Sequence, residues 1–301
     1  MQQKLFFFNI FERFLMKIND EILKLLRRAT NALEILTNTK DFQITIGKEN
    51  GYTWNPENLS LIPIKNMNYI NLNLLKGIDN TKDILFKNTE QFANGFSANN
   101  VLLWGARGMG KSSLVKSIHK EIVNKKNKNR LILVEINRDD INSLPVLISK
   151  LSDINDNFIL FCDDLSFDDN ETSYKSLKTI LEGGLAEKPS NIIFYATSNR
   201  RHLLSRSMQE NEDSTAIIPH ESIEEKVSLS DRFGLWLGFY QCSQETYLLM
   251  IEDYIKFYKI DIDIDKAKNL ALEWSITRGS RSGRVAWQFI QNLAGQLKKN
   301  I

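Results

Sequence analysis

Residues 105–112 read Gly-Ala-Arg-Gly-Met-Gly-Lys-Ser and fill every fixed position of the pattern G-x-x-x-x-G-K-[ST]. No other stretch constrains the fold as much, because this loop works only where a buried strand turns into a helix. That context is present. The apolar run 101–104 precedes the loop and suits a buried parallel strand, and a helical pattern opens at Lys111. The glycines let the backbone curl so that successive N–H groups face a phosphate, and the helix N-terminus favours the same anion. Gly105, Ala106, Arg107, Gly108, Met109, Gly110, Lys111, Ser112 and Ser113 are therefore the candidate residues for binding ATP or a close analogue. Lys111 would reach the β- and γ-phosphates, and Ser112 would ligate Mg²⁺.

After the loop, β-branched and apolar runs alternate with helical patterns. The runs are 131–136, 158–162, 192–196 and a weaker one at 235–239. Together with 101–104 they predict an α/β fold with a five-stranded parallel sheet and helices on both faces. Beyond Ser243 only helical spacing remains, over 244–259, 264–274 and 284–298, which predicts a small helical lid. Upstream, apolar spacing over 11–36 predicts one long helix or two. Residues 41–63 read as irregular, with a hairpin near Asn50-Gly51. The expected division is 1–73, an N-terminal helical and irregular region; 74–242, a P-loop core; and 243–301, the lid.

The strand ending in Cys162-Asp163-Asp164 would place its acids at the carboxyl edge of the sheet, beside the loop. Asp163 would hold Mg²⁺, and Asp164 would polarise a water. The stretch Asp168-Asp169-Asn170 follows no strand and reads as a helix N-cap. Asn199, just past the next strand, could reach the γ-phosphate or the water; a plain turn residue is the alternative. Arg232, in Ser230-Asp231-Arg232-Phe233, is a permanently charged fork suited to a phosphoryl group, with a structural salt bridge as its other reading. Of the arginines opening the last helix, Arg284 is the one expected to lean onto the nucleotide.

Thirty-nine basic against thirty-seven acidic residues leave a net charge of +2, too small to mark a dedicated nucleic-acid binder. Only the short cluster Lys125, Lys126, Lys128 and Arg130 favours such a partner, and a solvated loop after a helix is the preferred reading of it. Cys162 and Cys242 form neither a disulfide framework nor a metal spacing, and the three histidines form no ligand pattern. A reducing cytoplasm is the expected location. No apolar run reaches the roughly 20 residues of a membrane helix, so no membrane partner is expected.

The ordered set of loop, acidic strand end, Asn199, Ser-Asp-Arg-Phe and Arg284 resembles the AAA+ ATPases. Residues 75–297 are also similar to an uncharacterised bacterial family of predicted AAA+ ATP-binding proteins. The strings carrying this are Asn88-Thr89-Glu90-Gln91-Phe92, Asn100 to Gly108, Cys162-Asp163-Asp164-Leu165-Ser166-Phe167, Ala196 to Leu203, Leu229 to Gly234 and Arg281-Ser282-Gly283-Arg284. The resemblance implies Asn199 as first sensor, Arg232 as arginine finger and Arg284 as second sensor. It implies an Mg²⁺-dependent ATPase acting as a homo-oligomer, a ring being one arrangement, on an unknown macromolecular partner. One departure stands out: the second acid, usually Glu in these ATPases, is Asp164. That shortening keeps open an alternative, a slow nucleotide-dependent switch or loader for a protein or DNA partner.

Overall fold

The computed structural model describes residues 22, 26, 44–125, 129–167, 173–182, 189–201, 203 and 229–301. The chain divides into two compact units, Met1–Ile44 and Thr45–Ile301. Of the first unit only residues 22, 26 and 44 are described, and residues 22 and 26 are helical. The rest of the expected helix over 11–36 lies outside the described residues, as do residues 126 and 128 of the basic cluster and the expected cap at 168–170. The ends of that cluster are engaged with the protein itself. Lys125 Nζ pairs with Glu90 at 2.6 Å, and Arg130 donates to Asn50 and to the carbonyls of Gly47 and Glu49.

The second unit is built on one sheet. Its strands are β1 (Gly51–Asn55), β2 (Ser60–Pro63), β3 (Val101–Gly105), β4 (Leu131–Ile136), β5 (Asn157–Cys162), β6 (Ile192–Ser198) and β7 (Leu235–Phe239). They lie in the order β2-β1-β4-β5-β6-β3-β7, all parallel except β2 against β1. The sheet thus has seven strands, not the expected five. The additional pair comes from residues expected to be irregular. Gly51 does not turn a hairpin; it starts β1, and the reversal falls at 56–59. The hairpin signal misled because the Asn-Gly pair sits where the chain enters the sheet. There, a Cβ on Gly51 would lie 2.2 Å from Met67 Sδ.

Helix α1 (Asp79–Ala93) precedes β3, α2 (Lys111–Val123) follows it, and α3 (Leu144–Leu151) and α4 (Ser173–Glu182) fill the next two crossovers. Alternate strand residues divide between the faces. Val101, Leu103, Leu131, Leu133, Ile159 and Phe161 share one core with Leu85 and Phe92 of α1 and Leu114 and Ile118 of α2. Leu102, Ile132, Val134, Phe158 and Leu160 are equally buried on the opposite face. Both faces are therefore covered, as a parallel sheet requires. Three helices follow: α5 (Gln244–Tyr258), α6 (Ile264–Thr277) and α7 (Gly283–Gln296). Each starts on a side chain that accepts a main-chain N–H two or three residues into the helix, namely Ser243, Asp263 and Ser282. Among the described residues, no helix is long and apolar enough to cross a membrane.

His119, on the buried side of α2, sits against the Leu131 carbonyl at 3.2 Å through Nε2, and its Nδ1 has no partner. Burial lowers its pKa from 6.5 to about 4. The unfolded chain therefore binds the extra proton first, and the native state loses stability as pH falls from 6.5 toward 4. The loss through this group is about 3 kcal/mol. Urea unfolding at pH 7 and pH 4.5 should show a drop that is smaller in His119→Leu; equal drops in both chains would contradict this.

Candidate functional site

The loop between β3 and α2 is shaped by contacts that only glycine allows. Gly105 has φ +123°, and a Cβ there would lie 2.1 Å from the Phe239 carbonyl oxygen at the end of β7. Gly108, at φ +73°, faces the start of α7: a Cβ would meet Ser282 Oγ at 2.9 Å and Arg284 Cβ at 3.1 Å. The start of α7 is joined to the loop by main chain as well, since the Arg284 N–H donates to the Gly108 carbonyl at 3.0 Å. Sequence order alone put α7 and the loop far apart; small residues let them touch.

Lys111 is buried at the first residue of α2. Its ammonium donates to the Gly105 and Ala106 carbonyls at 2.8 and 2.9 Å and to Asn199 Oδ1 at 3.1 Å. Desolvation lowers its pKa below the usual lysine value, opposed by the attraction of Asp163 and Asp164 and reinforced by Arg107 and Arg284. Ser112 Oγ donates to Asp163 Oδ1 at 2.5 Å. Asn199 Nδ2 donates to Asp164 Oδ1 at 2.5 Å, so Asn199 bridges the lysine and the second acid. The carboxyl ends of β5 and β6 are neighbours, with Cys162 paired to Ala196, and this brings the acids and Asn199 to one edge. Cys162 beside them is buried, which pushes its thiol up to about 12 and leaves it inert.

These groups line a cavity of about 640 Å³ that includes Arg107 to Ser113, Asp163, Asp164, Asn199 and Arg284. Of the residues singled out from the sequence, Gly105 and Ala106 stand behind the lining and hold Lys111 through their carbonyls. Arg232 is not among the lining residues. It lies three residues before β7, whose first residue pairs with Val101, at the other end of β3 from Gly105. That end is about 13 Å from the loop, at about 3.3 Å per strand residue.

Sequence reasoning missed the apolar residues of the cavity and a polar residue beside the acids. Leu75 and Ile78, just before α1, line the cavity together with Met250 and Tyr254 of α5 and Trp287 of α7. Met250 and Tyr254 are four apart, and Trp287 is three beyond Arg284. These spacings read as ordinary helix packing and only the fold turns them toward a ligand. Lys76 Nζ to Asp253, at 2.6 Å, ties this segment to α5. The polar residue is Thr197, whose Oγ1 donates to Asp163 and accepts the N–H of Asp164. Its only signal was its place two residues before Asn199. The lining combines apolar and aromatic side chains with cationic groups and a glycine loop, a combination that can take a base and a phosphate chain together.

No curated protein matches the sequence. Among solved structures, the chain is similar to the Thermotoga maritima RuvB Holliday junction branch migration motor. That likeness has 16% identity over 75% of this chain and 68% of that one, with a TM-score of 0.48. A variant of the same protein gives 19% identity, 74% and 65% coverage, and a TM-score of 0.49. The Aeropyrum pernix ORC1 protein in complex with DNA gives 11% identity, 76% and 65% coverage, and a TM-score of 0.45. This chain therefore spans less than two thirds of the length of those last two. A family model described as "Protein of unknown function (DUF815)" matches residues 48–297. That match takes in the whole sheet, the loop, the acids and the three C-terminal helices, and the chain belongs to the DUF815 family.

Proposed function

We propose that the chain binds ATP with Mg²⁺ and hydrolyses it as an AAA+ ATPase working as an oligomer on a macromolecular partner. In this reading residues 74–242 carry the site, residues 243–301 are its lid, and the strands at 51–63 complete the sheet. The observation that carries it is the meeting of Lys111, Ser112, Asp163, Asp164, Asn199 and Arg284 in one cavity. The fit of a nucleotide rests on the glycine cradle, where side chains at Gly108 and Gly110 (φ +73° and +86°) would be strained and Gly108 would collide with the lid. The fit of Mg²⁺ rests on the donor set. Ser112 and Asp163 supply two hard oxygens 2.5 Å apart, and Mg²⁺ keeps waters and phosphate oxygens for its other positions. Among the described residues no cluster of three or more His, Cys, Asp or Glu competes as a metal site. When bound, the ion neutralises charge developing on the phosphate oxygens.

The chain's own groups then divide the work. Lys111 and Arg284 present positive charge to the phosphates. Asp164, aimed by Asn199, accepts a proton from water. Leu75, Ile78, Tyr254 and Trp287 enclose the base. A second reading, a slow switch, is favoured by the Asn199–Asp164 contact, which occupies an oxygen of a carboxylate already one methylene short.

The direct test is calorimetric titration of Mg-ATP into the wild-type and Lys111→Ala chains. Losing the charged donor should weaken binding about 10–100-fold. Equal affinity in the two chains would remove the nucleotide from this loop.

A further inference from the structure

The Thr197 hydroxyl makes two bonds at once. It donates to Asp163 Oδ1 at 2.5 Å and accepts the main-chain N–H of Asp164 at 2.9 Å. The carbonyl of the same residue takes the N–H of Leu165 at 2.7 Å. One buried residue at the end of β6 therefore holds three consecutive residues of the turn after β5.

That turn needs holding. Asp164 has φ +52°, a left-handed conformation that non-glycine residues keep only where the surroundings fix it. Its side chain is held separately, by Asn199 Nδ2. Asp163 Oδ1 also accepts from Ser112 Oγ, so the same oxygen is shared between β6 and the first turn of α2. Thr197 lies in β6 and Asn199 one residue past its end, and both reach the acids. There they grip the two acids, Thr197 by an oxygen and a backbone N–H, Asn199 by a carboxylate.

We propose that Thr197 is a positioning residue that sets both acids together: the Asp163 oxygen toward Ser112 and the metal, and the Asp164 carboxylate through its main chain. The metal half of this rests on the reading of the site as an Mg-ATP site; the hold on the turn does not. Thr197→Val keeps the branched shape and removes the hydroxyl, whereas Thr197→Ser keeps the hydroxyl and removes a methyl.

Two readouts separate the halves. Amide hydrogen exchange of Asp164, measured by NMR on the full chain without nucleotide, should speed up in Thr197→Val and stay near wild type in Thr197→Ser. Mn²⁺ binding in the presence of a non-hydrolysable ATP analogue, followed by electron paramagnetic resonance, should weaken about 10–100-fold in the valine variant, the usual cost of losing a group that orients a metal ligand. Affinity for the analogue without metal should not change, and serine should restore the Mn²⁺ affinity. Wild-type exchange and wild-type Mn²⁺ affinity in Thr197→Val would overturn the proposal, as would a serine variant as impaired as the valine. A wild-type chain that binds no Mn²⁺ with the analogue would overturn the Mg-ATP reading and the metal half with it, leaving the exchange result to decide the hold on the turn.

Discussion

Arg232→Ala should lower ATP turnover about 10³–10⁵-fold while leaving ATP affinity close to wild type. This is the loss expected of an arginine finger, about 4–7 kcal/mol of barrier. The reason lies in where the residue sits. β7 starts opposite Val101, so Arg232 approaches the sheet from the edge away from the loop, and it is absent from the lining of its own cavity. Under the proposed oligomeric reading, a guanidinium outside its own cavity would serve a phosphoryl group in a neighbouring copy. Mixing gives a sharper form of the same expectation. Arg232→Ala chains keep an intact loop, and Lys111→Ala chains keep an intact arginine. A one-to-one mixture should regain phosphate release that neither shows alone. Full activity in Arg232→Ala, or no recovery in the mixture, would place the arginine in a structural role.

Asp164→Asn should lower turnover about 10²–10⁴-fold, the range for removing a positioned general base. Binding should persist, because in the proposed site the phosphate contacts would come from the loop and Lys111. Lengthening the side chain should not help. At φ +52°, Asp is among the residues that tolerate the left-handed region, and Glu is less suited to it. The short carboxylate also meets Asn199 Nδ2 at 2.5 Å, which a longer one would displace. Asp164→Glu is therefore expected to be no faster than wild type in a phosphate-release assay. A faster glutamate variant would show that the departure from the usual acid is a handicap, not a local requirement of this turn.

The parts of the fold set by local pattern were legible in the sequence. The strands β3 to β7 on either side of the loop were marked by apolar runs, and the helices after Ser243 by helical spacing. The last helix starts one residue before the expected Arg284 because Ser282 caps it. What escaped was set by pairing across the chain. β1 and β2 are five and four residues long, and the parallel partner of β1, β4, lies some eighty residues away, a register no local signal records. The site divides in the same way. Lys111, Ser112, Asp163, Asp164 and Asn199 were visible because each falls at a strand end or loop with a chemical reason to be there. Leu75, Tyr254 and Trp287 were not, because an apolar residue in a helical stripe carries no sign of facing a ligand instead of a core. Thr197 was hidden as a polar residue near the end of a strand, and only the pairing of β5 with β6 gives it two acids to hold.

The central claim, an oligomeric Mg²⁺-dependent ATPase, is tested most directly by phosphate release from the wild-type chain over a protein concentration series, with Lys111→Ala alongside. The account predicts turnover per chain that rises with concentration, requires Mg²⁺ and vanishes in the variant. Turnover per chain that is independent of concentration down to a dilute monomer, or release that survives in Lys111→Ala, would contradict it.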